Sequence, residues 1–490
     1  MAKAISSFEF TLGSRPPQQT LTSWLYGELR LAILEGRLRP GTRLPASRDF
    51  ASQHGVSRGT VVSVFERLQV EGYVASRVGS GTRVNRLEPG PSIQVKKLET
   101  PAYVRRASAE YKRPKPWMGL AATEGSRPFS ASGPAIAEFP TELWAKLSAR
   151  RARTLQSWLG NHDDGRGYRP LREAIAGYLG SSRGVRCSPD QVIVVSGVQQ
   201  ALDMLARFLL KPGEPVWMED PGYFGASIAF GNMGAHAIPV PLDEQGLSVS
   251  AGLSMAPHAK GAYVTPAHQF PIGMTMPLER RMALLKWASN TGAFVIEDDY
   301  DSEYRFQGKP VPALQSLDRS SNVILVGSFN KVLFLSLRIG YVVLPASLVD
   351  LFSAFRYRTD FHNLSMDQLV LCDFIVDGHL GRHLRRMRDL YASRLAALID
   401  GGRRHLKGLL EISNVRAGLC TAAFLKNGMT SGHAERAAAA HGIEALALDR
   451  YTLKAADPNG VLLGFAGFDE AAIGAGIRRL AAALSGRSHR

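Results

Sequence analysis

No stretch of this 490-residue chain is apolar for long enough to cross a bilayer, so an integral membrane protein built on helices is excluded. The opening residues, MAKAISSFEF, hold one lysine and no apolar core segment, and no secretory signal is expected. Cysteine is scarce. Cys187, Cys372 and Cys420 are the three in the chain, too few and too scattered for a disulfide framework or a zinc cluster, and they suit a reducing, cytoplasmic setting. Internal repeats are absent, and 48 glycines and 27 prolines are ordinary counts that exclude collagen-like and low-complexity chains. What is present is 45% hydrophobic and 21% charged, enough for two or three domains with proper cores.

Acidic residues are under-represented, and unevenly so. Of the net charge of +16, the first 118 residues supply +10, from 19 Lys/Arg against 9 Asp/Glu. The other 372 residues supply only +6, from 40 against 34. Such asymmetry points to a polyanion-binding module at the N-terminus. Three regions follow from pattern alone. Residues 15–85 are helical and end in a Gly-rich turn; residues 86–118 are rich in Pro, Lys and Arg and read as an extended linker; residues 119–486 alternate apolar β-branched runs with amphipathic helices, the pattern of an α/β domain on a mainly parallel sheet.

In the first region, Leu21–Leu34 reads as an amphipathic helix and Leu44-Pro45-Ala46-Ser47-Arg48 opens a second. Gly55-Val56-Ser57 is the turn of a helix-turn-helix, with Ser57 as N-cap of a helix from Arg58 to about Gly72. The N-terminal residues of such a helix meet base edges and phosphates, and its free amides suit a phosphate oxygen. Tyr73–Ser76 and Thr82–Val84 read as the strands of a wing whose tip is Gly79-Ser80-Gly81.

These residues resemble the GntR family of winged-helix repressors: L-x-G-x-L-x-P-G-x-x-L-P-x-S-R, G-V-S-R-x-T-V, L-x-x-E-G-Y and G-S-G-T follow one another with family spacing across nearly all of residues 25–84. The resemblance implies that Arg43, Arg48, Ser57, Arg58, Thr60 and Gly79 lie at a DNA surface. Val61, Val64, Phe65 and Leu68 read as core instead. Gly59 departs from the family, which usually has a polar residue there, so base readout at that position is weakened.

The densest chemistry of the large region lies in Ile296-Glu297-Asp298-Asp299-Tyr300-Asp301-Ser302-Glu303 and in Gly327-Ser328-Phe329-Asn330-Lys331, with Arg338 seven residues on. Clustered carboxylates are able to hold a divalent cation. A carboxylate, a lysine, a serine and an arginine at neighbouring strand ends equally suit pyridoxal 5′-phosphate (PLP), which has a basic ring nitrogen, an aldehyde and a phosphate. On that chemistry alone both readings stand.

The S-x-x-K spacing with its arginine, after an apolar-E-D-D-Y-D segment, resembles the fold type I aminotransferases. Joined to a GntR-like module, the whole chain resembles the MocR/GabR family of PLP-dependent transcriptional regulators. The resemblance implies a winged helix-turn-helix plus a large α/β aminotransferase-like domain, PLP rather than a metal, and these roles. Lys331 forms the Schiff base, Asp298 pairs with the pyridine nitrogen, Tyr300 bonds the phenolic oxygen, and Ser328 and Arg338 hold the phosphate. The backbone of Gly197, Val198 and Gln199 cradles the phosphate at a helix start, Tyr223 stacks on the ring, and His268 sits beside the phenolic oxygen. Asp299, Asp301 and Glu303 read as structural partners.

Departures bear on function. Asn330 stands before the lysine where serine is usual, Leu335 replaces a common proline, Val198 removes a hydroxyl donor, and His162 replaces a tyrosine. In Val461-Leu462-Leu463-Gly464, Leu462 occupies the place of the arginine that holds a substrate carboxylate, so the bidentate fork for α-amino acids is missing there. The expected protein is a regulator that senses an amine or amino compound, or PLP itself, and performs at most a partial transamination. Its partners are a double-stranded DNA operator with repeated half-sites and a second copy of itself in a head-to-tail homodimer, without a membrane. The alternatives are a working PLP-dependent aminotransferase tethered to DNA and a PLP domain that serves only as a dimerisation scaffold.

Overall fold

In the computed structural model the described residues are 10, 12–77, 81–86, 104–105, 127–131, 133–154, 165–306, 308, 311–360, 366–413, 415–426, 428–454 and 458–485. The chain divides into two compact units, Met1–Lys112 and Arg113–Arg490. Gly79, His162 and nearly all of 86–118 fall outside the described residues.

The first unit contains α1 (Leu21–Leu34), α2 (Ser47–His54), α3 (Arg58–Val70), β1 (Val74–Arg77) and β2 (Gly81–Val84). Apolar residues at helical spacing give α1 and α3 one buried face each: Leu25, Leu29, Ala32 and Ile33 on α1, Val61, Val64, Phe65 and Leu68 on α3. These faces close on Phe50 of α2 and on Val74 and Val84 of the antiparallel β1–β2 ribbon to form one core. Gly55, at φ 65°, ends α2 in the left-handed region that glycine enters without strain. Two residues later the Ser57 hydroxyl accepts from the Thr60 amide at 3.1 Å and caps α3. The turn is therefore fixed by one backbone shape and one side-chain bond.

The second unit is built on an eight-stranded sheet and a four-stranded one. The larger comprises β3 (Val192–Val195), β4 (Pro215–Asp220), β5 (His236–Asp243), β6 (Gly246–Leu247), β7 (Gly261–Val264), β8 (Phe294–Asp299), β9 (Val323–Ser328) and β10 (Gly340–Val343). Their spatial order is β3-β10-β9-β8-β7-β4-β5-β6. The ladders β4–β5, β4–β7, β7–β8 and β8–β9 are parallel; β10 runs antiparallel to both β9 and β3, and β6 antiparallel to β5. Both faces are covered, as continuous apolar strands such as Val192–Val195 require. Ile296, for example, packs with Tyr263 and Val326 on one face, while its neighbour Val295 packs with Trp217 and Val323 on the other.

The second sheet contains β11 (Leu410–Ile412), β12 (Cys420–Leu425), β13 (Leu446–Ala447) and β14 (Gly460–Gly464), antiparallel in the order β11-β12-β14-β13. In the large sheet β3, β4, β7, β8 and β9 point the same way, so their C-terminal ends and the start of β10 share one edge. Ligands in open α/β sheets bind outside that edge.

Candidate functional site

Period-two alternation decides what each carboxylate at the end of β8 does. Asp298 lies on the face of Ile296, across from Tyr263 of the adjoining β7, and its Oδ2 accepts the Tyr263 hydroxyl at 2.6 Å. Its Oδ1 is buried without a partner, and burial pushes the carboxyl up to about 7. Asp299 turns to the opposite face and accepts from Arg183 Nε at 2.8 Å. Glu297 accepts the amides of Leu314 and Gln315 at 2.7 and 2.9 Å, Asp301 faces His268, and Glu303 takes the Tyr178 hydroxyl at 2.9 Å. The acidic run is thus dispersed over separate partners. Among the described residues no group of three or more His, Cys, Asp or Glu is arranged to hold a metal ion.

Beside Asp298, four rings form a chain. Tyr223, at the start of the helix Phe224–Asn232, donates its hydroxyl to Gln199 Oε1 at 3.3 Å. Its ring meets Phe270 edge-on at 6.1 Å, and Phe270 meets Tyr300 edge-on at 5.8 Å. Burial, helped by Asp298 and opposed by Arg338, pushes the Tyr223 hydroxyl up to about 12, which places Tyr223 within electrostatic reach of both. His268 Nδ1 lies 3.0 and 3.1 Å from the Asp301 carboxylate oxygens and 3.1 Å from the Tyr300 hydroxyl. A carboxylate only accepts, so Nδ1 carries the proton. The Tyr300 hydrogen is thereby left available to another acceptor.

The second half of the site is the loop between β9 and β10. Ser328 Oγ accepts the Asn330 amide at 3.1 Å, and Asn330 Oδ1 accepts the Ile339 amide at 3.1 Å. These bonds fold the loop back so that Lys331 and Arg338 flank one strand end. Asn330 therefore has a structural task that its place in the motif did not disclose. Arg338 is exposed and sits at φ 53°, a strained value for a residue with a side chain. Burial lowers the Lys331 amine from its ordinary value, with Cys420 and Asp301 acting the other way. Next to this loop Gly197 has φ 108° and precedes the helix Val198–Leu209. A Cβ on Gly340 would come within 2.9 Å of Gly197 Cα, so the two backbones approach where neither tolerates a side chain. The structure thus brings Lys331, Asp298, Tyr300, Ser328, Arg338, Tyr223, Gly197, Val198, Gln199 and His268 to one sheet edge. Tyr263 and Phe270 are members that motif reading missed, and Asn330, noted there only as a departure, is a third. Tyr263 was discoverable from strand pairing, since it lies in an apolar run that must neighbour β8.

In the first unit Arg43, Arg48, Ser57 and Arg58 are exposed and Thr60 is half-buried. Arg43 lies over Gly81 of the wing, whose added Cβ would meet Arg43 Nε at 2.8 Å. Ser57 and Thr60 hydroxyls lie 2.8 Å apart at the start of α3, with Arg58 between them in sequence.

Residues 21–84 match the bacterial regulatory proteins of the gntR family, and residues 141–401 match aminotransferase class I and II. The chain is 39% identical to the probable rhizopine catabolism regulatory protein MocR of Rhizobium meliloti, over 94% of this chain and 93% of that protein. It is 30% identical to the pyridoxine biosynthesis regulator PdxR of Corynebacterium glutamicum, over 92% and 93%. Among solved structures, LysN, an α-aminoadipate aminotransferase from Thermus thermophilus complexed with N-(5′-phosphopyridoxyl)-L-leucine, superposes with a TM-score of 0.70 at 28% identity, covering 78% of this chain and 97% of that one.

The cofactor is pyridoxal 5′-phosphate, and the residues at the sheet edge fit it. Asp298 Oδ1, buried and lacking a partner, suits a protonated ring nitrogen. The Gly197 turn offers backbone amides at a helix start to a phosphate. Lys331, held below its ordinary pKa, suits an aldehyde carbon.

Proposed function

Because the chain belongs to the MocR/GabR family of GntR-type regulators, and so is a PLP-dependent, DNA-binding transcriptional regulator, we propose that its aminotransferase-like domain senses an amine or amino compound, or PLP itself, through Schiff-base chemistry at Lys331. When bound, PLP supplies an electrophilic aldehyde to primary amines. The chain's own groups do the rest. Lys331 would present its amine to that aldehyde, where another primary amine would compete with it. Asp298 holds the ring nitrogen, with Tyr263 fixing its other oxygen. Tyr300, its oxygen turned to the His268 Nδ1–H, gives its hydrogen to the phenolic oxygen. Ser328, Arg338 and the amides of Gly197, Val198 and Gln199 receive the phosphate, and Tyr223 covers the ring. The observation that carries this reading is the buried, unpartnered Asp298 Oδ1 at the end of β8, at the sheet edge where the loop after β9 carries Lys331.

At the other end of the chain, Arg43, Arg48, Ser57, Arg58, Thr60 and Gly79 form the DNA surface of a domain at 15–85, joined by a linker at 86–118 to an effector domain at 119–486. A head-to-tail homodimer in the cytoplasm reads an operator of repeated half-sites, since a symmetric dimer presents two heads. An effector that displaces Lys331 would then shift the population of domain arrangements.

Gel-shift titration of operator DNA with and without an amine panel, using wild type and Lys331→Ala, tests the proposal. An amine that alters operator binding only in the wild type supports it; an equal response in Lys331→Ala overturns sensing at Lys331. Retention of Lys331, Asp298 and Tyr300 favours the working aminotransferase as second reading, and multiple turnover with a keto acid separates the two.

A further inference from the structure

Building on the reading of Gly197, Val198 and Gln199 as the phosphate cradle, we infer that Arg356 and Asp360 are positioning residues for the cofactor phosphate. Arg356 lies in the last turn of the helix Val349–Tyr357, and Asp360 just beyond its end. The cradle follows β3, the outermost strand of its sheet, whose outward backbone groups have no neighbouring strand and need other partners. At Val194 the amide donates to Arg166 O at 2.8 Å, and the carbonyl accepts Arg356 Nη1. Two residues on, the Ser196 amide donates to Gln200 Oε1 at 2.6 Å. Gln200 Nε2 in turn donates to Asp360 Oδ2 at 3.0 Å, and Asp360 Oδ1 accepts Arg356 Nε at 3.3 Å. Arg356, Asp360 and Gln200 therefore close a ring on the main chain between Val194 and Ser196.

The ring decides which amides an anion meets. A carboxylate only accepts, so Asp360 takes the NH2 end of Gln200 and turns the oxygen end to Ser196. That commits the Ser196 amide. Gly197 supplies no side-chain cap to the helix Val198–Leu209, and the next amides, Val198 and Gln199, are left for a phosphate. Alone, the Asp360 charge would repel that phosphate. Arg356, its side chain 0% exposed, neutralises it, so the pair directs the turn without adding net charge. The supporting helix is fixed on two sides. Phe352 meets Phe208 of the helix Val198–Leu209 edge-on at 5.2 Å, and Ser353 Oγ accepts Arg166 Nε at 3.0 Å.

The test compares the dissociation constants of PLP and of pyridoxal, which lacks the phosphate, by absorbance titration of the full-length protein. Asp360 is the residue to change, because its side chain is 23% exposed whereas Arg356 is wholly buried. The factor by which wild type prefers PLP should shrink about tenfold in Asp360→Ala, with pyridoxal affinity nearly kept. A purely electrostatic role predicts the opposite sign, since removing a carboxylate beside a phosphate tightens binding. Gln200→Glu sets two carboxylates against each other and should shrink the preference as well. The double variant Gln200→Glu/Asp360→Asn, in which the asparagine amide donates to the new carboxylate, should recover most of it. An unchanged or larger preference in Asp360→Ala overturns the inference, as does equal loss of both ligands or a double variant no better than Gln200→Glu. A wild type that does not prefer PLP to pyridoxal would instead remove the phosphate cradle itself, and this inference with it.

Discussion

The two units place their functional groups in opposite physical settings. In the DNA-binding head the buried positions are apolar and the polar residues assigned to DNA stand on the outside: Arg43, Arg48, Ser57 and Arg58 are exposed, over a core of Leu25, Leu29, Phe50, Val64 and Phe65. In the larger unit the chemistry is inside. Asp298, His268, Glu219 and Asp301 are almost fully buried, and two of their polar atoms, Asp298 Oδ1 and His268 Nε2, have no partner. A head that binds a polyanion needs solvated charge on a rigid frame, and loses little by carrying it. A site that holds a small cofactor must bury polar groups in advance, and unmet hydrogen-bonding capacity is the mark it leaves.

That contrast breaks most sharply at Asp298. Asp298→Ala removes the acceptor for a buried cation, and PLP affinity in a fluorescence or absorbance titration should fall by roughly a hundredfold or more, with operator binding by the cofactor-free protein unchanged. An unaltered affinity would mean that the orphaned oxygen marks no ring nitrogen. Arg58→Ala is the converse. Gel-shift affinity for operator should drop by roughly tenfold at fixed salt, and the PLP spectrum should stay as in wild type; intact DNA binding would remove Arg58 from that surface.

A smaller effect follows from pH. Burial favours the acid form of Asp298, with a pKa of about 7 before cofactor binds, whereas a ring N–H⁺ favours the carboxylate. Binding therefore releases a proton, and affinity should rise with pH up to about 7 and decline below it, by at most about tenfold per pH unit for one proton. Lys331, lowered by burial, acts in the same direction because its neutral amine is the reactive form. PLP titrations at pH 6 and pH 8 check the sign, and tighter binding at pH 6 would contradict it. Weakest is Ser57→Ala, which removes the α3 cap and should cost the head about 1 kcal/mol. Its thermal transition would move while that of the larger unit stays put.

Legibility followed the same division. The head was readable almost residue by residue, because a helix-turn-helix is local: Gly55, Ser57 and the buried stripe of α3 lie within fourteen residues and each obeys a short-range rule. Wing strands shifted by a single residue, from Tyr73–Ser76 to Val74–Arg77, as expected where a turn sets the end. In the larger unit the expected alternation of apolar runs with amphipathic helices is present as a mainly parallel sheet, and motif spacing carried Lys331, Asp298 and Arg338 to one edge. What sequence did not disclose was long-range pairing. Tyr263 meets Asp298 only because β7 lies beside β8, and Phe270 meets Tyr451 across 181 positions. The split fates of adjacent Asp298 and Asp299 needed the strand's own alternation, together with Arg183 arriving from a distant helix. Leu462 was singled out as a missing arginine; its place in an apolar cluster became visible only when β14 was paired with β12.

The central claim is that Lys331 is the covalent anchor of a sensing cofactor. It is tested most directly by the near-UV and visible absorption spectrum of purified protein, wild type and Lys331→Ala, each after addition of PLP. A band characteristic of the lysine-bound cofactor in the wild type, absent from the variant, is the predicted result. Identical spectra for the two, with only the absorption of free PLP, would contradict it.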